Sequence, residues 1–183
     1  VVGVGWGLGL ARRSRHSRAR TGVAAGAVAG AGGTDFIAIE NERRPQRDLS
    51  YLGGWGQSTA LCLLESLSGS EPVSLPVLAS GGVRNPLDVV RSLALGACAA
   101  GASGHVLRTL VKEGPEALPR EPCTRGDHVR TPMTLPGAAA AAQPRRTDLA
   151  LPGRTAEPAR PLALAPPAPA PPPPTYPPPC PAA

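Results

Sequence analysis

Residues 75–88, Leu-Pro-Val-Leu-Ala-Ser-Gly-Gly-Val-Arg-Asn-Pro-Leu-Asp, constrain the fold of this chain more than any other stretch. Val77, Leu78 and Ala79 form a continuous apolar run, the pattern of a parallel strand buried on both faces. Gly81 and Gly82 let the backbone turn sharply and approach a ligand where a Cβ would collide. Asn85 is a strong N-cap, Pro86 suits the first helical position and Asp88 falls in the first turn. A helix should therefore begin here, with its free N–H groups directed back at the glycines. Strand, glycine turn and helix N-terminus in that order make an anion-binding cradle.

The flanking sequence repeats the pattern. Val23–Ala29 reads as a small-residue strand, followed by a flexible loop, Gly30–Asp35. Residues 35–53 read as a long charged connection, and Ser58–Leu67 as a helix with Leu61, Cys62 and Leu64 facing a core. After the cradle, the helix from Pro86 should close at Gly96. Ala97–Ala102 should form the next strand, and Ser103-Gly104 should open another helix. Strand, helix and strand at this spacing imply βαβ units and a parallel sheet. At the start, Val1–Leu10 has glycine at every second position from Gly3 to Gly9, a poor strand. Arg12–Arg20 is expected by position to be helical, yet offers no apolar stripe.

Beyond Gly114 the order is expected to fade. Prolines such as Pro115, Pro122, Pro132 and Pro136 interrupt every apolar run long enough to make a helix, and residues 166–181 read as a polyproline-type tail. We therefore divide the chain into an ordered portion (1–113), a proline-interrupted helical end (114–161) and a disordered Pro/Ala-rich tail (162–183). The chain starts within what reads as a strand and without methionine, and is expected to be a fragment: a complete (β/α)8 barrel takes roughly 200 to 250 residues.

Several function classes find no support in the residues. The net charge of +6 includes the cluster Arg12, Arg13, Arg15, Arg18 and Arg20. No aromatic residue interleaves with these arginines and no nucleic-acid module surrounds them, so nucleic acid is not an expected partner. Cys62, Cys98, Cys123 and Cys180 form no CxxC pair, which points away from zinc and disulfides and toward a reducing, cytoplasmic setting. No apolar run is long enough to span a membrane. The glycine clusters lack both G-x-G-x-x-G spacing and a Walker lysine. His16, His105 and His128 are isolated, and no nucleophile motif such as G-x-S-x-G occurs.

What remains is a pair of glycine-rich turns, Gly81-Gly82-Val83 and Ser103-Gly104, at successive strand ends. Neighbouring βα loops of a parallel barrel lie side by side at its carboxyl face, where both could grip one phosphate. Thr34, after the preceding strand, could add a hydroxyl, although it could equally be a turn or capping residue. Asp35, Glu40, Glu42 and Asp48 read first as solvated loop charges. Trp55 is a candidate for the mouth of a site or for packing a loop.

Four blocks carry a family resemblance: residues 30–44 (GAGGTDFIAIENERR), 54–60 (GWGQSTA), 78–85 (LASGGVRN) and 93–97 (LALGA). In order and spacing they resemble the carboxyl half of the type 2 isopentenyl-diphosphate isomerases, and a weaker likeness extends the match to roughly residues 1–160. The resemblance implies the second half of a (β/α)8 TIM barrel that binds FMN. It also implies Mg²⁺, flavin reduction through NADPH, and interconversion of isopentenyl and dimethylallyl diphosphate by a homo-oligomer. Carried over residue by residue, it implies that Thr34 contacts the flavin, that Gly81, Gly82 and Val83 with Arg84 hold the FMN phosphate, and that Ser103 and Gly104 complete the grip.

The departures bear on activity. This chain has Val4 where the family has a flavin-contacting lysine and Ala29 where it has a serine, and Pro132, Pro136, Pro152 and Pro158 replace apolar positions. The family's amino-terminal half, which supplies the Mg²⁺ ligand and diphosphate contacts, has no counterpart here. The expectation is a catalytically incomplete chain that binds FMN weakly or not at all and holds no metal ligand or identifiable catalytic residue. The alternatives are an FMN-dependent 2-hydroxy-acid oxidase, whose histidine and arginine are absent from the Gly-Gly-Thr-Asp-Phe loop, and a non-catalytic scaffold with a Pro-rich docking tail.

Overall fold

The structure, a computed structural model, describes residues 2–4, 20–67, 75–141 and 143–146. Most of the arginine cluster (Arg12–Arg18), Cys180, the 147–161 segment and the 162–183 tail lie outside the described residues.

Four strands, β1 (Val2–Val4), β2 (Ala25–Ala29), β3 (Val77–Ser80) and β4 (Ala99–Ala100), form a sheet in sequential order. All three pairings are parallel, with Ala27 opposite Leu78 and Leu78 opposite Ala99. This is the α/β, parallel-sheet class that the βαβ spacing implies. Helix α1 (Phe36–Arg43) follows β2, and α2 (Thr59–Leu67) lies before β3. Helix α3 (Pro86–Ala94) links β3 to β4, and α4 (Ser103–Glu113) follows β4.

The core lies between the sheet and α2. Val28, Val77 and Ala79 pack with Leu61, Cys62, Leu63 and Leu64, closed by Leu95 and Ala97 after α3. Burial of these side chains is what holds α2 helical, since a nine-residue helix is marginal alone in water. β3 corrects one expectation. Its residues alternate, with Val77 and Ala79 buried and Leu78 and Ser80 only partly so. Helices therefore cover one face of this strand and leave the other partly open.

Two further expectations are corrected. The 35–53 connection contains α1 and a 3-10 turn, Ser50–Leu52. It escaped the periodicity argument because α1 buries no residue. It is held by its ends instead: Asp35 caps it by accepting from the Ala38 N–H at 3.0 Å. Past it, the Asn41 side chain accepts from the Leu49 N–H at 2.8 Å. Arg44 donates to both oxygens of Asp48 at 2.6 and 2.9 Å.

The chain beyond Gly114 is also more regular than its prolines suggest. A 3-10 turn, Pro115–Arg120, leads into α5 (Glu121–Thr134), and a second, Gln143–Arg146, follows. Pro122 is the second residue of α5, where the N–H would be unpaired anyway, and Pro132 lies in the last turn. Both α5 and the second 3-10 turn pack against α3, and Ala138 and Pro144 are buried. Among the described residues no helix is long and apolar enough to cross a membrane.

Candidate functional site: a glycine-lined cleft

The carboxyl ends of β2, β3 and β4 lie side by side, and the loops that leave them enclose a cleft of about 330 Å³. Each loop is shaped by its sequence. After β3, Gly81 and Gly82 adopt φ of +84° and +80°, a left-handed conformation that costs other residues about 1–2 kcal/mol each. Asn85 then caps α3 by accepting from the Asp88 N–H at 3.0 Å, with Pro86 at the first helical position. After β4, α4 begins at Ser103. Its N-cap, Ala102, has no capping side chain, so the first N–H groups of the helix carry their partial positive charge uncapped.

The loops interlock through missing side chains. A Cβ on Gly33 would lie 2.7 Å from the Gly81 Cα, and one on Gly82 would lie 2.9 Å from the Gly32 carbonyl oxygen. Backbone hydrogen bonds fix the approach: Gly30 N–H donates to the Ser80 carbonyl at 3.2 Å and Ala31 N–H to the Gln57 carbonyl at 2.8 Å. Thr59, the first residue of α2, spans the joint. Its Oγ1 donates to the Ser80 carbonyl at 2.8 Å and also contacts the Gly81 carbonyl. The N–H groups of Gly81, Gly82 and Val83 have no acceptor among the described residues. Three such donors in one turn suit an anionic oxygen.

Thr34, Gly81, Gly82, Val83, Arg84, Ser103 and Gly104 all line this one cleft. Arg84 crosses it, its Nη2 lying 3.5 Å from the Gly32 carbonyl, while its backbone N–H donates to the Asp88 Oδ2 at 3.2 Å. Phe36, His105 and Arg108, which belong to none of the glycine motifs, also line the cleft. Arg108 was findable, because it lies four residues after Gly104 and therefore on the same helix face. Among the described residues no aspartate or glutamate lines the cleft, so its charged side chains favour an anion.

The other candidates lie elsewhere. Glu40 and Glu42 are exposed on α1, Asp35 is committed to its cap and Asp48 to Arg44. The Arg44 hydrogen bond holds the Asp48 carboxyl below the usual carboxylate range and raises the Arg44 guanidinium in turn. Trp55 is 64% exposed and does not line the cleft. His128 is on α5. Among the described residues, no group of three or more His, Cys, Asp or Glu converges on a point that could hold a metal ion.

No family model matches the chain. It is 50% identical over 147 residues to an isopentenyl-diphosphate delta-isomerase of Streptomyces sp. (strain CL190), a match covering 80% of this chain and 39% of that protein. A namesake from Kitasatospora griseola is 47% identical with the same coverage. One from Nocardia farcinica (strain IFM 10152) is 45% identical over 82% of this chain and 41% of its own length. The chain thus spans about two-fifths of the curated relatives it matches. Among solved structures it is similar to a mandelate oxidase carrying a monooxide FMN adduct, with a TM-score of 0.60 and 22% identity over 82% of this chain and 41% of that one. A mandelate oxidase with benzoyl-formic acid matches equally well, at a TM-score of 0.60 and 22% identity. These two share the fold.

Proposed function

We propose that this chain, a homologue of the isopentenyl-diphosphate delta-isomerases over 80% of its length, is the flavin-phosphate-holding portion of a type 2 enzyme of that kind. The parent protein would be a (β/α)8 barrel, with the four described strands forming half of it and the partly open side of β3 facing the barrel interior. The reading rests on one observation: glycine turns from three adjacent strands leave room, free N–H groups and two arginines at one point, with no carboxylate among the described lining residues. That donor set fits the phosphate of FMN. The backbone of Gly81, Gly82 and Val83 would hold its oxygens, Arg84 would supply charge, and Thr34 and Ser103 would donate hydroxyl hydrogen bonds.

When bound and reduced through NADPH, the flavin supplies acid and base at the allylic carbon of isopentenyl or dimethylallyl diphosphate. The part played by this chain is placement: the interlocked glycines fix the phosphate end and thereby the depth at which the ring sits. Any Mg²⁺ for the substrate diphosphate would be held by groups outside the described residues, as would most contacts to the ring. The chain by itself should bind FMN weakly and not isomerise.

The fold neighbours also raise 2-hydroxy-acid oxidation. The loop after β2 opposes it, because Thr34-Asp35-Phe36 supplies no histidine–arginine pair, and Asp35 is occupied as the α1 cap. A chimera decides between the two. This chain replaces the matching segment of the Streptomyces relative, and the purified protein is assayed for bound FMN, allylic isomerisation, and glycolate and lactate oxidation. Bound FMN with isomerisation is the expected outcome. A chimera that folds without FMN, or that oxidises 2-hydroxy acids instead, would refute the reading.

A further inference from the structure

We propose that Arg108 is a phosphate-binding residue of this cleft and sets its preference for a phosphorylated over an unphosphorylated flavin. The inference rests on the FMN reading above and adds to it a residue that lies outside the glycine motifs.

Among the described residues, two guanidinium groups line the cleft, those of Arg84 and Arg108. Arg84 is partly committed: its Nη2 lies 3.5 Å from the Gly32 carbonyl, and its backbone sits against the Asp88 carboxylate. Arg108 forms no ion pair or hydrogen bond with a described side chain. Arg108 therefore presents an uncompensated positive charge to a cleft that no carboxylate of the described residues lines.

Position makes that charge useful. Arg108 lies one turn into α4, on the same face as Gly104. Helical side chains lean toward the N-terminus, so the guanidinium extends back over the uncapped first turn. The space there is open, since a Cβ on Gly104 would meet nothing within 4 Å. An anion seated between Gly104 and the Gly81–Val83 turn would receive backbone N–H groups from one side and the Arg108 fork from the other. A phosphate monoester carries nearly two negative charges at pH 7 and accepts such a fork in bidentate geometry. Riboflavin has the same ring and no phosphate, and can make no use of Arg108.

The test is a fluorescence titration of the full chain and its Arg108→Gln and Arg108→Lys variants with FMN and with riboflavin, at low and at physiological salt. The wild-type chain is expected to favour FMN. Arg108→Gln should weaken FMN about fivefold, the upper end of what one ion pair at an exposed site is worth, and leave riboflavin unchanged. Its FMN affinity should also fall less steeply with salt. Arg108→Lys should recover part of the loss. If Arg108→Gln leaves the FMN-to-riboflavin ratio unchanged, or weakens both flavins equally, the role given to Arg108 is wrong while the FMN reading stands. If the wild-type chain shows no preference for FMN, both are wrong.

Discussion

Gly81 and Gly104 both line the cleft, and the geometry assigns them opposite responses to the same substitution. At Gly81, φ is +84° and an added Cβ would lie 2.6 Å from the Gly30 backbone nitrogen. Gly81→Ala should therefore destabilise the fold by about 2 kcal/mol or more and abolish flavin binding. At Gly104 the space is open and the residue is helical. Gly104→Ala should be neutral or stabilising, within about 1 kcal/mol. Urea denaturation of the two variants checks both predictions, and equal effects would contradict the interlock. The same contrast shows what the residues reveal on their own. Gly81 and Gly82 are legible as a turn because glycine pairs after apolar runs have few other uses. Thr59 is not, because its hydroxyl acts on a carbonyl 21 residues away, a distance fixed by tertiary packing alone.

Among the elements, α3 was the most legible and α1 the least. Asn85, Pro86 and Asp88 specify the start of α3 within four positions, and Gly96, with φ of +104°, ends it. Asn85→Ala should cost about 1 kcal/mol and tilt the uncapped first turn away from the cleft. Thermal unfolding would measure the cost. Helix α1 has no buried face, so no hydrophobic period announces it, and its tie to Asp48 comes from a side-chain pair that spacing alone did not single out. That tie gives a pH signature. Because the folded carboxyl of Asp48 lies below its usual range, its contribution is present above the ordinary carboxylate pKa of about 4 and is lost as pH falls through the lowered value. Wild type and Asp48→Asn should thus differ slightly at neutral pH and converge in acid, when followed by the pH dependence of their urea midpoints. Both side chains are exposed, so the difference should be small and salt-sensitive. Helix α5 was hidden by its prolines: Pro122 falls in the first turn, where a helix tolerates it, whereas Pro132 removes an internal hydrogen bond, a cost that packing on α3 offsets.

At the scale of the whole molecule, the four-stranded parallel sheet of the described residues carries a site at the carboxyl ends of three strands, as parallel α/β folds commonly do. The parallel class was legible from strand–helix spacing. The one-sided burial of β3 was not, because an apolar run reads the same whether one face or both are covered. The chain spans 39–41% of the three relatives described above, so the role proposed for it is placement of one cofactor group rather than a complete reaction. The most direct measurement of that claim is a ³¹P NMR titration of FMN with the full chain. The phosphate resonance should shift and broaden as protein is added and return when inorganic phosphate competes, and Gly81→Ala should remove the effect. A phosphate resonance that stays unperturbed at saturating protein would contradict the account, however well the ring might bind elsewhere.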